Sequence, residues 1–203
     1  MRNAWPALLA LLFVALSIWS AIAPASREVW IAEVIPVFAA FLLLLFTYPK
    51  FRFSNTAYTL MAGWLILHTI GAHYTFANVP FDWFNQLIGS ERNQFDRVAH
   101  YIIGFYAYPM AEFLYRKGYS GKYLASLFGL FFIMSVAAGY EIIEWIYADL
   151  EGGEAGIEFL GSQGDIWDAQ KDMLADTLGA VTSLLLFLWM YRGRPVRLSS
   201  GEA

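Results

Sequence analysis

Long apolar blocks separated by short polar segments dominate the 203-residue chain. Each block has close to the ~17–25 residues that a helix needs to cross a bilayer, and tyrosines and tryptophans gather near the block ends, as expected at membrane interfaces. The pattern predicts an all-α, polytopic integral membrane protein with six transmembrane helices at about residues 4–23, 29–46, 57–73, 98–114, 123–146 and 173–191.

Composition supports a single membrane domain that covers residues 1–203. Hydrophobic residues make up 59% of the chain, above the ~45–50% of an average soluble domain. The 13 basic residues are scattered and the net charge is −4, so no nucleic-acid partner is indicated. Cysteine is absent, which excludes disulfides, thiolate ligands and a cysteine nucleophile. The first block exceeds the usual length of a signal-peptide core, so we expect it to be retained.

The distribution of lysine and arginine predicts the orientation. Nine of these residues fall on the side of the two termini and four on the other side. By the positive-inside rule both termini are cytoplasmic, and residues 192–203 form a cytoplasmic tail. The segments 74–95 and 147–171 then become long outer loops, and the glycines of the second are expected to form turns.

Ionisable residues gather at block ends on the predicted outer side. The third block ends with His68 and His73, and the fourth begins with Asp96 and His100. The fifth block ends with Glu141 and Glu144, and the sixth begins with Asp172 and Asp176. A charge inside hydrocarbon costs at least about 2.5–3.5 kcal/mol, so such residues normally face a bundle interior and mark a function. The pattern predicts a site where these block ends meet.

Helical spacing places many of these acids on shared faces above small residues. Near the sixth block, spacings of three and four align Asp165, Asp168, Asp172 and Asp176, provided that the helix begins by Asp165. The same face continues through Ala175, Gly179 and Ser183, and the fourth block likewise places Asp96 and His100 above Gly104, Ala107 and Ala111. Small residues permit close helix contact in lipid, so both faces should point toward other helices.

The donor types predict a metal site. Helix bundles hold metals with carboxylate and histidine pairs at such spacings. A mixed oxygen and nitrogen set suits Mg, Mn, Zn or Fe. Seven acidic residues in this region have only three basic residues near them, Arg92, Arg97 and Lys171. A divalent cation or protonation must therefore balance the remaining negative charge. The predicted ligands are Asp96, His100, Glu141, Asp172 and Asp176.

A structural interpretation of the same residues stays open. Asp96 with Arg97, and Lys171 with Asp172, are also able to join water-exposed salt bridges at the membrane surface. His68 and His73 point about 140° apart on a helix, so at most one can reach the site. His68 by itself is expected to be a packing histidine, and Glu33 and Glu112 are expected to be interfacial and structural.

Three segments carry a resemblance to a known family. They are Phe95-Asp-Arg-Val-Ala-His100, Glu141-Ile-Ile-Glu144 and the sixteen residues from Gly164 to Gly179. Over residues 57–188 the chain resembles the YjdF-like (DUF2238) family of bacterial inner-membrane proteins and, more distantly, the VanZ-like group. In the VanZ-like pattern, lysine, glutamine and asparagine stand where this chain has Arg97, Glu144 and Asp176. The resemblance implies an inner-membrane location and, through VanZ, a link to the cell envelope and glycopeptide resistance.

Three functions are compatible with these observations. The first is a metal-dependent hydrolase or transferase acting on a lipid or envelope precursor, with Glu144 or Asp168 as general base and Arg97 or Lys171 neutralising an anionic head group. The second is an ion-coupled transporter, because buried acid and histidine chains relay protons. The third is a non-catalytic envelope factor whose loop 147–171 binds a partner or lipid.

Overall fold

The computed structural model describes residues 4–160 and 162–194, and every regular element in these ranges is helical. This confirms the all-α prediction for the described residues. The α-helices are α1 (Trp5–Ser20), α2 (Arg27–Thr47), α3 (Asn55–Tyr74), α4 (Asp82–Ile88), α5 (Phe95–Ile103), α6 (Ala107–Arg116), α7 (Lys122–Glu151), α8 (Gly153–Leu160) and α9 (Asp168–Met190). A short 3₁₀ turn at Phe76–Asn78 follows α3, and another at Gly104–Tyr106 joins α5 to α6.

Three of these helices, α2, α7 and α9, are long and apolar enough to cross a bilayer, and α1 is a shorter apolar helix. The membrane character predicted from the sequence is therefore confirmed, whereas the count of six spans and the cytoplasmic termini stay predictions. Most of the predicted tail, residues 195–203, lies outside the described residues. The segments expected to be outer loops contain helices, because α4 occupies part of the first and α7 and α8 extend through part of the second.

The small-residue faces of the fourth and sixth blocks meet at a close crossing of α5 and α9. A Cβ atom added to Gly179 would lie 1.8 Å from the carbonyl oxygen of Tyr101, and one added to Gly104 would lie 2.2 Å from that of Asp176. Ser183 also lies on this face and donates to the carbonyl of Gly104 at 3.5 Å. The absence of side chains at both glycines is what brings the acids of these two helices together.

The helices form two groups that meet along α3 and α5. In the first group α1 and α2 pack on α3, and in the second α5, α6 and α7 pack on α9. Gly152 and Gly153 adopt positive φ values of 62° and 56°, which suit glycine and turn the chain sharply after α7. Helix α8 therefore folds back onto α7 and also contacts α2. A cavity remains between the two groups.

Glu112 anchors the end of the bundle opposite the predicted site. Although expected at the interface, it is fully buried in α6, where it accepts hydrogen bonds from the backbone N–H of Ser54 at 2.8 Å, from the Ser54 hydroxyl at 2.7 Å and from Arg116. The Ser54 hydroxyl in turn caps α3 by accepting from Ala57 N–H.

Removing this carboxylate should destabilise the fold. Glu112→Ala leaves the Ser54 N–H without its acceptor, and an unsatisfied buried group costs about 1–3 kcal/mol. We expect a lower melting temperature of the purified protein in detergent than for the wild type. Glu91→Ala is the control because Glu91 is exposed. Equal melting of the Glu112 and Glu91 variants would show that Glu112 anchors nothing.

Candidate metal centre at the ends of three helices

Two loop side chains align the beginnings of α5 and α9. Asn93 precedes α5 and donates to the carbonyls of Ala77 and Val79 at 2.9 and 2.7 Å, while its side-chain oxygen accepts from Phe95 N–H at 3.0 Å. The amide of Gln163, before α9, pairs with the backbone N–H and carbonyl of Asn93, both at 3.0 Å. These bonds hold the two helix starts side by side, so their first polar residues face each other.

An outer layer of the site is a salt-bridge network. Arg97 contacts Asp168 and Asp172 and lies 3.4 Å from Asp165, and Arg92 contacts Asp168 and lies 3.6 Å from Asp165. Asp168 and Asp172 are nevertheless buried, so the two guanidinium groups supply the charge balance that water would otherwise provide. This outer layer is a salt-bridge network of the kind expected, but Asp168 and Asp172 in it are buried, and Asp96 and Lys171 have other partners than expected, Arg92 and Asp165.

Asp165 belongs to this outer layer and does not extend the stripe of α9. The helix begins at Asp168, so the condition for a four-acid stripe is not met, and Asp165 lies in the turn before it. Its carboxylate accepts from Lys171 Nζ at 2.6 Å, and this hydrogen bond lowers the pKa of Asp165 below its ordinary value. The Lys171 side chain is 52% exposed.

An inner layer brings together Asp96, His100 and Asp172. Each offers one ligand atom, and these atoms all lie within 4.8 Å of one another. His100 Nε2 is 3.7 Å from Asp96 Oδ1 and 3.8 Å from Asp172 Oδ1. Ligand bonds of ~2.0–2.2 Å put two donors of one ion at most about 4.4 Å apart, so these two separations fit a shared ion, although Asp172 Oδ1 is also the oxygen that Arg97 contacts.

Asp176, predicted as a ligand, contacts the opposite nitrogen of the same imidazole. Its carboxylate oxygens lie 3.3 and 3.4 Å from His100 Nδ1, and the residue is 1% exposed. A carboxylate bound to the second ring nitrogen orients a ligating histidine and raises its basicity. The geometry therefore suits Asp176 to hold the His100 ring so that Nε2 faces Asp96 and Asp172.

Helix α7 contributes the two predicted glutamates. Among the described residues, the buried Glu141 Oε1 has no hydrogen-bond partner, although most buried polar atoms are paired. Glu144, one turn farther along α7, lines the cavity between the two helix groups together with Asp96, His100 and Asp176. Glu141 itself lies outside the group of three closest donors. An unpaired carboxylate oxygen beside an acidic cluster favours a bound cation or proton.

The cavity has a volume of about 290 Å³ and is lined mainly by apolar side chains. That volume lies near the lower end of ligand pockets, which are about 300–1,000 Å³, and such pockets combine apolar walls with a few placed polar groups. Trp64, Tyr106, Phe132 and Ile133 form part of the apolar wall. Asp96, His100, Glu144 and Asp176 border this cavity at one end.

A second polar group, assigned no functional role from the sequence, lines the same cavity. His68 Nε2 lies 2.9 Å from Glu33 Oε2, and the Tyr140 hydroxyl donates to the same oxygen at 2.9 Å. Glu33 is 3% exposed, so it is buried within the protein. His73 is elsewhere, because its Nδ1 lies 3.0 Å from the carbonyl oxygen of Ser20 and its ring stacks on Trp19.

A sequence signal for these residues did exist. Glu33 and His68 each lie within an apolar block, and an ionisable group in such a block normally has a partner inside the bundle. The sequence also indicated the partner of Asp96. Arg92 precedes Asp96 by four residues, a spacing that favours an ion pair on a helix, and the two side chains lie 3.6 Å apart in the structure. The spacing of residues along one helix does not reveal which helices are neighbours, and the neighbouring helices decide which side chains pair.

Comparison with known proteins agrees with the membrane character of the fold. The family model described as "Predicted membrane protein (DUF2238)" matches residues 5–194. The chain is 33% identical over 191 residues to the inner membrane protein YjdF of Escherichia coli K12, covering 93% of this chain and 90% of that protein. No solved structure matches the chain. The chain therefore belongs to the DUF2238 family of membrane proteins.

Proposed function

We propose that the protein is a multi-pass enzyme of the bacterial inner membrane, a metal-dependent hydrolase or transferase acting on a lipid or cell-envelope precursor. The observation that carries this proposal is the convergence of Asp96, His100 and Asp172 beside an apolar cavity. The six-helix topology with cytoplasmic termini belongs to the same proposal, and it turns the site toward the outside of the cell. The E. coli relative is named as an inner membrane protein, which supports the location.

The inner layer supplies two carboxylates and one imidazole, a donor set that suits Mg, Mn, Zn or Fe. Asp176 would orient the ring of His100, and the unpaired oxygen of Glu141 would supply a further donor or a countercharge. A divalent ion held there would act as a Lewis acid and would activate a bound water at neutral pH. Arg92, Arg97 and Lys171 already offset Asp165, Asp168 and Asp172, and a divalent ion would offset part of the negative charge that remains on Asp96, Asp176 and the two glutamates.

The contacts of the residues that would act beside the metal favour different roles for them. Asp168 Oδ1 is held by Arg92 and Arg97, whereas Glu144 borders the cavity. We therefore assign the general base to Glu144. Lys171 is half exposed and able to meet an anionic head group, while Arg97 is engaged with the outer acids.

Metal analysis of protein purified without chelators tests this proposal. We expect about one divalent ion per chain in the wild type, and at least about ten-fold weaker binding in His100→Ala, since even second-shell changes cost 10–100-fold in affinity. His73→Ala is the matched control because His73 lies outside the cluster. Native protein without metal, or equal metal content in both histidine variants, would overturn the proposal.

Ion-coupled transport is a second candidate that one observation favours. The ring of Tyr140 lies between two histidines, 6.5 Å from the His100 ring centroid and 6.4 Å from that of His68, and its hydroxyl contacts Glu33. Buried acid and histidine chains of this kind relay protons in pumps and transporters. Proton flux into proteoliposomes that is lost in both Glu33→Gln and His100→Ala would favour transport over catalysis.

A further inference from the structure

The cavity changes from polar to apolar in the same direction along three of its walls. On α2 the lining residues run from Glu33 to Leu43, on α5 and the 3₁₀ turn after it from Asp96 to Tyr106, and on α7 from Glu144 down to Phe132. The polar groups therefore gather at one end and the apolar groups at the other. An amphiphile with a polar head and a hydrocarbon chain matches this gradient.

The cavity lies at a seam between α2 and α7. Helix α2 packs on α3 and α8, while α7 packs on α6, α8 and α9. A second, largely apolar cavity lies along the same seam and shares Pro36, Tyr140 and Phe159 with the first. Both helices are long and apolar enough to span the membrane, so the seam faces hydrocarbon. A molecule that approaches from this side is therefore a lipid.

Exposed apolar side chains border the seam on both helices. Leu43 on α2 and Val136 on α7 line the first cavity and are 63% and 41% exposed, and Ile35 and Ile143 of the second cavity are exposed as well. The end of the seam nearest the acids is covered by α8, where Phe159 packs on Tyr147 with ring centroids 4.2 Å apart. The apolar part of the seam is thus the side that meets the bilayer.

We infer that a hydrocarbon chain of a membrane lipid inserts into the cavity through the seam between α2 and α7, and that its head group lies at the acidic end. Occupancy by the chain stands on the shape and lining of the cavity alone. The position of the reacting head group beside Asp96, His100 and Asp172 rests on the proposed function. The substrate class is then an amphiphile taken directly from the bilayer.

Trp64 is a built-in probe for this chain. It lines the cavity and is 7% exposed, so lipids around the outside of the protein do not reach its ring. Bromine atoms on an acyl chain quench tryptophan emission only at contact. The protein is reconstituted in nanodiscs of dioleoyl phosphatidylcholine and in nanodiscs of the same lipid brominated at both chains. The emission of Trp64 itself is obtained by subtracting the emission of Trp64→Phe from that of the wild type.

Two adjacent alanines on α2 supply a matched pair of variants. Ala40 lines the cavity, whereas Ala39 is exposed on the lipid side. We expect brominated lipid to quench Trp64 in the wild type and in Ala39→Phe, and Ala40→Phe to lose the quenching because its ring fills the cavity. Thermal melting checks that both variants fold, and Ala40→Leu replaces Ala40→Phe if that variant does not.

The outcomes separate this inference from the metal proposal. Equal Trp64 emission in brominated and unbrominated nanodiscs would overturn the chain-binding inference, as would quenching that persists in a folded Ala40 variant. Metal content measured on the same samples is independent of either result. If Trp64 is still quenched in His100→Ala without metal, the lipid site is supported even when no ion binds to the wild type.

Discussion

Replacing Gly179 by valine is expected to abolish the native packing of α5 against α9. A side chain at this position would place its Cβ 1.8 Å from the carbonyl oxygen of Tyr101 and 3.2 Å from the Cα of Gly104. Overpacking of a core typically costs about 1–3 kcal/mol when side chains can shift. Here the obstructing atoms are backbone, so the helices must separate. We expect the variant to yield little monodisperse protein and to melt far below the wild type.

Gly139→Val is the control for this prediction. Gly139 also lies within a helix, α7, but a Cβ added there meets nothing within 4 Å. The substitution therefore changes the same side chain without a clash, and its melting should stay close to that of the wild type. Wild-type melting of Gly179→Val would show that the close crossing of α5 and α9 is absent, and the acidic cluster depends on that crossing.

Removing Arg97 is expected to be nearly as damaging. Its guanidinium contacts Asp168 and Asp172, both buried at the beginning of α9. Breaking a buried ion pair by deleting one partner costs about 3–5 kcal/mol, because a charge stays buried without compensation. Arg97→Met should therefore lower the free energy of unfolding strongly, measured by thermal or denaturant unfolding in detergent.

A double variant identifies the cause of that loss. Asp172→Asn added to Arg97→Met removes one orphaned charge, so we expect it to recover part of the lost stability. Lys171→Met is the control, since this side chain is half exposed and exposed pairs contribute about 0–1 kcal/mol. If Arg97→Met unfolds no more readily than Lys171→Met, the outer layer makes no contribution to the fold.

Sequence reasoning predicted those features that depend on position along one helix. The segments that carry Gly104, Ala107 and Ala111 pack on α9, as their small residues predict, and Asp96 lies one turn from His100, as helical periodicity predicts. Ion pairs of Arg97 and Lys171 with acids were also expected, but the partners differ, since Arg97 contacts Asp168 and Asp172 and Lys171 contacts Asp165. Periodicity fixes which residues share a face, and small residues indicate where two helices approach closely.

The remaining features depend on tertiary contacts that periodicity does not specify. Helix order along the chain gives no sign that α2 lies near α7, so the Glu33, His68 and Tyr140 group was not foreseen as one unit. Asp176 faces the far nitrogen of His100, a difference of a few ångströms within one helix face. The fold-back of α8 depends on the positive φ values of Gly152 and Gly153, which a glycine pair permits but does not require.

Pulsed electron paramagnetic resonance of the Mn²⁺-loaded protein is the sharpest test of the metal centre, because it detects a histidine nitrogen bound to the ion. We expect a coupling from one imidazole nitrogen, which takes the ¹⁵N pattern when histidine is labelled with that isotope. The coupling should persist in His73→Ala and disappear in His100→Ala. A Mn²⁺ signal without nitrogen coupling, or a coupling unchanged in His100→Ala, would contradict a metal centre at the meeting point of α5 and α9.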